Sequence, residues 1–192
     1  MNPIKELKKY WLLALRKKDP VAYNMYLATV DVKGRPHVRT VLIKSIDKSG
    51  IGFVTHAHGR KVDQFAHSKI VEVCMAWPTL AVQARVTGKI KPMSKDLVKK
   101  LWTLRPRDAQ ILYSLGIAQS SKIPSFEYLL KKVSALSKKW SDKKNIPYSS
   151  NYTGFVVEPQ SIEFLHHNPS RLNRRELWTR TAKSWSKTIL AP

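Results

Sequence analysis

The sequence predicts a mainly β protein with flanking helices, an α+β chain whose strands form a small barrel. Five segments rich in β-branched and aromatic residues follow one another, and short turn sequences separate them. Apolar residues also recur at helical spacing before and after these segments. Because consecutive strands with short connections favour an antiparallel meander, and such a sheet closes readily, we expect a barrel.

A predicted amphipathic helix opens the chain. Asn2 can cap it, Pro3 suits its first turn, and Asp19-Pro20 ends it. Its apolar stripe is predicted to consist of Ile4, Leu7, Trp11, Leu12 and Leu15. The run Trp11–Leu15 is too short for a signal sequence or a membrane span, and charged residues flank it closely.

The five predicted strands follow this helix. They are Tyr26–Asp31, Val38–Lys44, Ile51–Thr55, Ile70–Trp77 and Leu80–Ile90. Lys33-Gly34 and Asp47-Lys48-Ser49-Gly50 are turn signals between the first three, and Pro78 lies between the last two.

A predicted phosphate-binding position lies between the third and fourth strands. Gly59-Arg60-Lys61 opens a helical pattern in which Val62, Phe65 and Ala66 share a face. A helix start exposes unpaired N–H groups and carries partial positive charge, and two cations there favour a phosphate. In so lysine-rich a chain, these cations, like Arg39 and Lys44 on the second strand, could equally be solvated surface residues.

Helices and then strands complete the chain. Ser94–Leu104 and Asp108–Leu115 are predicted helices, and Ser125 can cap a longer one. The apolar face of this longer helix consists of Phe126, Leu129, Leu130, Val133, Leu136 and Trp140. A polar linker, Ser141–Asn151, precedes the predicted strands Tyr152–Val157, Ser161–His166, Glu176–Arg180 and Trp185–Leu190. We expect a single domain over 1–192, with an N-terminal helix in 1–20 and site-completing strands in 141–192.

Charge and cysteine content restrict the partners and the compartment. The formal charge of +22 suggests nucleic acid, an anionic surface or a phosphorylated small molecule. The basic residues are scattered and form no long tail, so a generally basic proteome or a solvated surface explains the charge more simply than nucleic-acid binding. Cys74 is the single cysteine, which excludes an intrachain disulfide and fits a reducing compartment, so we expect a cytoplasmic protein.

Several chemistries lack their motifs. The sequence contains no glycine-rich nucleotide loop and no G-x-S-x-G esterase motif. His56-Ala57-His58 and His166-His167 have no cysteine or carboxylate at ligand spacing nearby, so no metal site is predicted.

A set of short fragments, specific in order and spacing, carries a resemblance to a known family. The fragments are Leu27-Ala28-Thr29-Val30-Asp31, Gly34-x-Pro36, Arg39-Thr40-Val41-Leu42-Ile43-Lys44, Phe53-x-Thr55, Arg60-Lys61, Gln83, Arg85-Val86-x-Gly88, Arg105-Pro106-Arg107-Asp108, Gln119-Ser120, Ile162-Glu163-Phe164, Arg171-Leu172-x-x-Arg175, Trp185 and Leu190-Ala191-Pro192. From about Leu27 to its C-terminus the chain resembles the pyridoxamine 5′-phosphate oxidase family. These are homodimeric flavoproteins with a split β-barrel.

The resemblance implies FMN bound at the interface of a homodimer. Residues that match Arg60, Lys61 and Ser120 hold the FMN phosphate in such enzymes, and a dianionic phosphate needs several charge-assisted donors. The other positions that match cofactor contacts are Arg39, Thr40, Val41, Leu42, Ile43, Lys44, Val54, Thr55, Gln83, Gln119, Leu165 and Arg175. Arg175 matches a contact supplied across the dimer, and Leu165 stands where a tryptophan is common.

The substrate side follows the family less closely. Lys44 and Arg105 keep two charged members of the clamp that holds the substrate phosphate. Leu101 and Ala109 stand at the positions of a tyrosine and a serine, although a one-residue insertion before Gln119 shifts the local alignment. Each lost neutral hydrogen bond costs about 1 kcal/mol, so weaker phosphate binding or a changed substrate follows from these departures.

Arg171 is the predicted catalytic residue. It matches the arginine that covers the substrate's pyridine ring, and Asn173 replaces the usual histidine beside it. The alternative is that Arg171 only pairs with a carboxylate such as Glu163 or Glu176.

The resemblance therefore implies an FMN-dependent oxidase. It would convert pyridoxamine or pyridoxine 5′-phosphate into pyridoxal 5′-phosphate, with O2 as acceptor and H2O2 as product. The alternatives are a related flavin oxidase acting on another small aromatic substrate, as in phenazine-forming relatives, and an FMN-binding protein without oxidase activity. A basic nucleic-acid-binding protein is the non-enzymatic alternative.

Overall fold

The strands form one sheet that closes on itself. The computed structural model describes residues 2–142 and 146–192, and its strands are β1 (Asn24–Val30), β2 (Pro36–Asp47), β3 (Gly50–His56), β4 (Ile70–Trp77), β5 (Val82–Pro92), β6 (Tyr152–His166), β7 (Arg174–Arg180) and β8 (Trp185–Leu190). The order in the sheet is β3-β2-β1-β4-β5-β6-β7-β8, with antiparallel neighbours, and β3 also pairs with β6. The first six strands therefore form a closed barrel, and β7 and β8 extend the sheet beyond it.

The first and the last helix begin at predicted caps. The helices are α1 (Pro3–Arg16), α2 (Arg60–His67), α3 (Lys95–Thr103), α4 (Arg107–Ser114) and α5 (Phe126–Lys139), and a single 3₁₀ turn covers Pro78–Leu80. Asn2 and Ser125 each accept a hydrogen bond from the backbone of the first helical turn, which confirms these two caps. Ser94, predicted as the first residue of a helix, caps α3 in the same way. No helix in the described part of the chain is long and apolar enough to cross a membrane.

The predicted barrel is confirmed, but the expected meander order is wrong. Strands β1, β2 and β3 are neighbours in sequence and in space. Strand β4 then pairs with β1 rather than with β3, through contacts such as Tyr26 opposite Cys74. The reason is that α2 lies between β3 and β4, so the connection is long enough to carry the chain to the other side of β1.

Strand β6 corrects a second prediction. The sequence predicts two strands separated at Pro159, whereas β6 is continuous over 15 residues. Proline has no N–H to donate to a neighbouring strand, so it is rare inside strands that pair on both sides. The β5–β6 register shifts between Thr87 and Gly88, and Pro159 lies opposite Gly88 at this shift. A bulge therefore accommodates the proline without ending the strand.

Contacts within the chain group the described residues into two compact units. The first takes its residues from Met1–Phe53, Gln64–Pro92 and Phe155–Pro192, and the second from Val54–Asp63 and Met93–Gly154. Fully or almost fully buried side chains fill each unit, for example Met75 and Phe164 in the first and Trp102 and Ile111 in the second. The predicted linker Ser141–Asn151 includes residues 143–145, which lie outside the described ranges.

Two helices bury faces that differ from the predicted stripes. In α1 the buried residues include Ile4, Leu7, Trp11 and Ala14, while Leu12 is 43% exposed. Leu12 follows Trp11 directly, and one residue turns the helix by about 100°, which moves Leu12 off the buried stripe.

In α2 the buried residues are Lys61, Gln64 and Phe65, and Ala66 is exposed. The prediction followed apolar residues only and therefore missed a buried face that is partly polar.

Candidate cofactor and substrate site

Lys61, in the first turn of α2, is the centre of a polar cluster in the second unit. Its Nζ donates to Thr55 Oγ1 at 3.0 Å and to Gln119 Oε1 at 2.6 Å. Lys61 and Thr55 are buried, whereas Gln119 is exposed. Three of the residues predicted to bind the cofactor are therefore in direct contact, and Val54 is buried next to them on β3.

Further donors lie beside this cluster in the sequence. Arg60 is the first residue of α2 and is exposed. Ser120 follows Gln119, is exposed and has a left-handed backbone with φ of 65°. Non-glycine residues in this conformation are strained and concentrate at functional sites. A helix start, two cations and hydroxyl groups form a donor set that fits a phosphate dianion.

Aromatic rings surround Arg105 in the connection between α3 and α4. Its guanidinium carbon lies 4.9 Å from the centre of the Tyr113 ring and 5.3 Å from that of Tyr152. Its Nε is buried without a hydrogen-bond partner among residues 2–142 and 146–192. Leu101 on α3 and Ala109 on α4 are both half-buried and offer no polar side-chain atom. Contact with ring faces stabilises the guanidinium without neutralising it, so Arg105 can still attract an anion.

His56, at the end of β3, extends the same aromatic cluster. Its ring stacks on Tyr113 with a centroid distance of 4.2 Å and an interplanar angle of 14°. Burial and the neighbouring charges of Lys61, Arg105 and His58 lower the pKa of His56. Burial raises the pKa of both Tyr113 and Tyr152. At neutral pH the cluster therefore contains a neutral imidazole and two protonated phenols, with Arg105 as its cation.

Arg39 is held by neutral acceptors in the first unit. It lies on β2 opposite Leu27 of β1, and its Nη1 donates to the Leu27 carbonyl at 3.1 Å and to Thr29 Oγ1. Its Nη2 donates to Gln64 Oε1 at 3.0 Å. Burial lowers the pKa of Arg39, although a guanidinium stays charged at neutral pH.

The predicted cofactor segment of β2 presents two faces. Val41 and Ile43 are buried, whereas Thr40 and Leu42 are exposed, as expected for alternating side chains. The pairing of β2 with β3 shifts register between Ile43 and Ser45, so Lys44 lies at an irregularity of the strand. Such bulges redirect a side chain and are common next to active sites.

Gln83, Leu165 and Arg175 form a row across three strands of the first unit. Gln83 of β5 pairs with Leu165 of β6, which pairs with Arg175 of β7. Arg175 donates to Glu163 Oε1 through Nε at 3.0 Å and through Nη2 at 2.7 Å. The register therefore brings together three predicted flavin contacts, and Glu163 fixes the arginine.

Arg171 lies in the exposed connection between β6 and β7. Its backbone is left-handed with φ of 63°, and its side chain makes no hydrogen bond or ion pair within the described ranges. Glu163 pairs with Arg175, and Glu176 pairs with Arg174 and Lys187. The alternative that Arg171 pairs with either carboxylate is therefore wrong. Asn173, in the same connection, accepts a hydrogen bond from the backbone of Asn168 through Oδ1.

Several residues of these clusters were not predicted. Gln64 and Thr29 hold Arg39, and His56, Tyr113 and Tyr152 surround Arg105. The position of Gln64, three residues after Lys61, places it on the same helix face and was the available signal. Tyr113 and Tyr152 are far apart in sequence, and no local pattern indicates that they share one cation.

Comparisons with known proteins agree with this architecture. A model of the family described as pyridoxamine 5′-phosphate oxidase matches residues 21–140, and one described as the pyridoxine 5′-phosphate oxidase C-terminal dimerisation region matches residues 152–192. The pyridoxine/pyridoxamine 5′-phosphate oxidase of Shewanella pealeana is 36% identical over 190 residues, covering 97% of this chain and 88% of that protein. The protein of the same name from Alkalilimnicola ehrlichii is 33% identical, and the match covers 86% of this chain and 84% of that protein.

Solved structures show the same fold. PhzG from Burkholderia lata 383, in complex with tetrahydrophenazine-1-carboxylic acid, is 26% identical, with a TM-score of 0.91, covering 100% of this chain and 93% of that one. A pyridoxamine 5′-phosphate oxidase-related, FMN binding protein from Nostoc punctiforme shares the fold at 19% identity, with a TM-score of 0.79. The match covers 100% of this chain and 98% of that one.

The closed barrel, extended by C-terminal strands that match a dimerisation region, defines a split-barrel protein. The chain belongs to the pyridoxamine 5′-phosphate oxidase family, and it is an oxidoreductase of that family.

Proposed function

We propose that the protein is an FMN-dependent oxidase that converts pyridoxamine or pyridoxine 5′-phosphate into pyridoxal 5′-phosphate. The observation that carries the proposal is the contact of Lys61 with Thr55 and Gln119 at the start of α2. With Arg60 and Ser120 as further donors, this cluster has the chemistry that the phosphate of FMN requires.

The chain's own residues would bind and orient the cofactor. Arg39, held by neutral acceptors, keeps a full positive charge for the flavin, and Gln83 and Arg175 supply amide and guanidinium donors. FMN held by these residues would supply the two-electron chemistry that joins oxidation of the substrate to reduction of O2 to H2O2. The family resemblance also matches Val41, Ile43 and Leu165 to cofactor contacts.

Arginine and lysine side chains would orient the substrate. The family resemblance assigns Arg105 and Lys44 to its phosphate group and Arg171 to the face of its pyridine ring. In the described part of the chain, two aromatic rings rather than a carboxylate stabilise the charge of Arg105, which supports its role as an anion receptor. Arg171 is exposed and makes no side-chain hydrogen bond or ion pair with the described residues, so it can contact a ligand.

We further propose that the working form is a homodimer in the cytoplasm. Leu172 and Ile189, both in the matched dimerisation region, are 73% and 63% exposed. Strands β1 and β2 also carry exposed apolar side chains, at Tyr26, Val38 and Leu42. Apolar surface of this kind is typical of subunit interfaces. The lone, half-buried thiol of Cys74 fits a reducing cytoplasm.

A second candidate substrate is a reduced aromatic carboxylate. PhzG of Burkholderia lata, which is structurally similar along the whole chain, was solved with tetrahydrophenazine-1-carboxylic acid. Leu101 and Ala109 provide no polar side-chain atom to a phosphate, and an arginine next to aromatic rings can bind a planar carboxylate as well. This candidate keeps the same cofactor and changes only the substrate.

Two measurements test the proposal. The purified protein should bind FMN in a calorimetric titration, with flavin absorbance released on denaturation. The FMN-loaded protein should then produce peroxide with pyridoxamine or pyridoxine 5′-phosphate in a coupled assay. Absence of FMN binding would overturn the proposal. FMN binding with peroxide formation only from a reduced aromatic carboxylate would establish the second candidate instead.

A further inference from the structure

The guanidinium of Arg39 forms a closed ring of hydrogen bonds with the side chains of Thr29 and Gln64. Arg39 donates through Nη1 to Thr29 Oγ1 and through Nη2 to Gln64 Oε1. The hydroxyl of Thr29 donates to the same Gln64 Oε1 at 2.6 Å. Gln64 Oε1 accepts hydrogen bonds from both Arg39 and Thr29. Because the amide nitrogen of Gln64 cannot accept, the ring closes in only one orientation of the side-chain amide.

The two residues that hold Arg39 are themselves buried. Thr29 is 3% exposed and Gln64 is 7% exposed, whereas Arg39 is half-buried. Buried polar side chains without partners are costly, so Arg39 and its two partners satisfy one another. The backbone carbonyl of Leu27 adds a further acceptor from β1. The guanidinium is therefore fixed from both a strand and a helix.

All of these acceptors are neutral, which distinguishes Arg39 from other arginines of the sheet. Arg85 pairs with Glu72, and Arg175 pairs with Glu163. Arg39 has no carboxylate partner within the described ranges, but its guanidinium donates three hydrogen bonds, and a fourth joins Thr29 to Gln64. A fixed cation without a counter-ion is suited to stabilise negative charge on a bound group.

The network also connects Arg39 to the helix that starts with the proposed phosphate-binding residues. Gln64 lies on α2, four residues after Arg60 and three after Lys61.

We propose that Gln64 and Thr29 are positioning residues for the cofactor. They hold Arg39 by neutral acceptors so that its undiminished charge stabilises the bound flavin, most strongly when the flavin is reduced and anionic. The inference rests on the proposed function, because it requires FMN as the ligand. It adds that a glutamine rather than a glutamate is needed at position 64, since a carboxylate would keep the geometry and neutralise the charge.

Four substitutions separate positioning from a purely structural role. Gln64→Met and Thr29→Val remove partners of Arg39 while keeping similar side-chain volume. Gln64→Glu keeps both acceptor contacts and adds negative charge. Thr29→Ser keeps the hydroxyl and serves as the conservative variant. Gln110→Met is a matched control, because Gln110 is also buried and also lies on a helix, where it donates to the Trp102 carbonyl at 2.8 Å.

The readouts are the Kd of FMN and the midpoint potential of the bound flavin, with circular dichroism as a test of folding. We expect Gln64→Met and Thr29→Val to raise the Kd of FMN about tenfold. Each variant removes a partner that holds the charged Arg39, so the interaction of Arg39 with the flavin becomes weaker. Gln64→Glu should remain folded and shift the midpoint potential to more negative values. Thr29→Ser and Gln110→Met should keep both quantities close to those of the wild type.

The outcomes are distinguishable from failure of the proposed function. If the wild type binds no FMN, the function and the inference are both wrong. If the wild type binds FMN and the folded Gln64→Glu and Thr29→Val variants keep its Kd and potential, only the inference is wrong. If Gln64→Met does not fold, Gln64→Glu still decides, since it keeps the acceptors that the fold uses.

Discussion

Arg60 and Arg171 are predicted to act on different molecules. Arg60→Ala should weaken FMN binding by roughly 1.5–3 kcal/mol, because one charged hydrogen bond to the phosphate disappears. Arg171→Ala should leave FMN bound and lower turnover or substrate affinity, because its exposed side chain is assigned to the substrate.

Flavin content and steady-state kinetics of the two variants check this division. Arg60→Lys is the control, since it keeps a cation at the start of α2. If Arg171→Ala loses FMN as readily as Arg60→Ala, or keeps full activity with the best substrate, the division is wrong.

His56 makes stability depend on pH. Its pKa in the folded protein lies below the ordinary value of 6.5, since burial and nearby cations disfavour the charged ring. When the pH falls below the ordinary value of 6.5, the unfolded chain takes up a proton at His56 that the folded protein excludes. The free energy of unfolding therefore decreases as the pH falls below 6.5, and His56 does not affect it at higher pH. His56→Phe keeps an aromatic ring against Tyr113 and cannot titrate. The variant should therefore lose less stability than the wild type on acidification.

Melting temperatures of the FMN-free proteins at about pH 7.5 and about pH 5 measure this effect. On going to the lower pH, the Tm of the variant should fall less than the Tm of the wild type. A difference that stays constant between the two conditions would show that His56 does not carry the effect.

The β5–β6 bulge limits position 88 to glycine. A Cβ added to Gly88 would lie 2.4 Å from the Glu158 backbone oxygen and 2.9 Å from Val157 Cγ1. Backbone atoms of a paired strand cannot move away without loss of hydrogen bonds, so Gly88→Ala should destabilise the fold by about 3 kcal/mol.

Urea unfolding provides the test, with Gly34→Ala as the comparison. Gly34 has φ of 76° in an open turn with no atom within 4 Å of an added Cβ, so only the left-handed backbone resists substitution there. We expect that variant to lose about 1 kcal/mol. Equal losses at both positions would contradict the steric explanation.

Caps, turns and most strands could be predicted from the sequence because each depends on a few adjacent residues. Asn2 and Ser125 cap helices, and the turn at Asp47 forms where it was expected. The continuity of β6 through Pro159 could not be predicted, since it depends on Gly88 in another strand. The pairing of β4 with β1 likewise depends on the path of the chain after α2 rather than on either strand alone.

The same distinction applies to the candidate site. Lys61 was identified from its place at a predicted helix start as well as through the family resemblance, whereas Thr55 and Gln119 were identified through the resemblance alone. The structure added the contacts among the three. Gln64 was missed because a polar residue on a predicted helix is normally assigned to the solvent side. Gln64 is buried because it bonds to Thr29 on β1 and Arg39 on β2, and the spacing of residues within a helix gives no information about partners on strands.

The dimer proposal leads to a prediction for Ile189. Ile189 lies on β8 and is 63% exposed. In a symmetric dimer one substitution alters the interface twice, so Ile189→Asp should weaken association by at least about 3 kcal/mol. Sedimentation of the variant should show monomers at concentrations at which the wild type is dimeric. Thr188→Asp, which alternation places on the opposite face of β8, is the control. A dimer that survives Ile189→Asp would exclude this residue from the interface.

The position of β7 and β8 outside the closed barrel implies a graded resistance to amide hydrogen exchange. Strands within the ring have neighbours on both sides, whereas β8, at the end of the sheet, pairs only with β7 among residues 2–142 and 146–192. Local opening can therefore release β8 first and β7 next, while the barrel stays intact. Exchange of backbone amides should be fastest in β8, slower in β7 and slowest in β5 and β6. Because the C-terminal strands match a dimerisation region, the gradient should be steeper in monomers than in dimers. Association would then complete the folding of the strands that it joins.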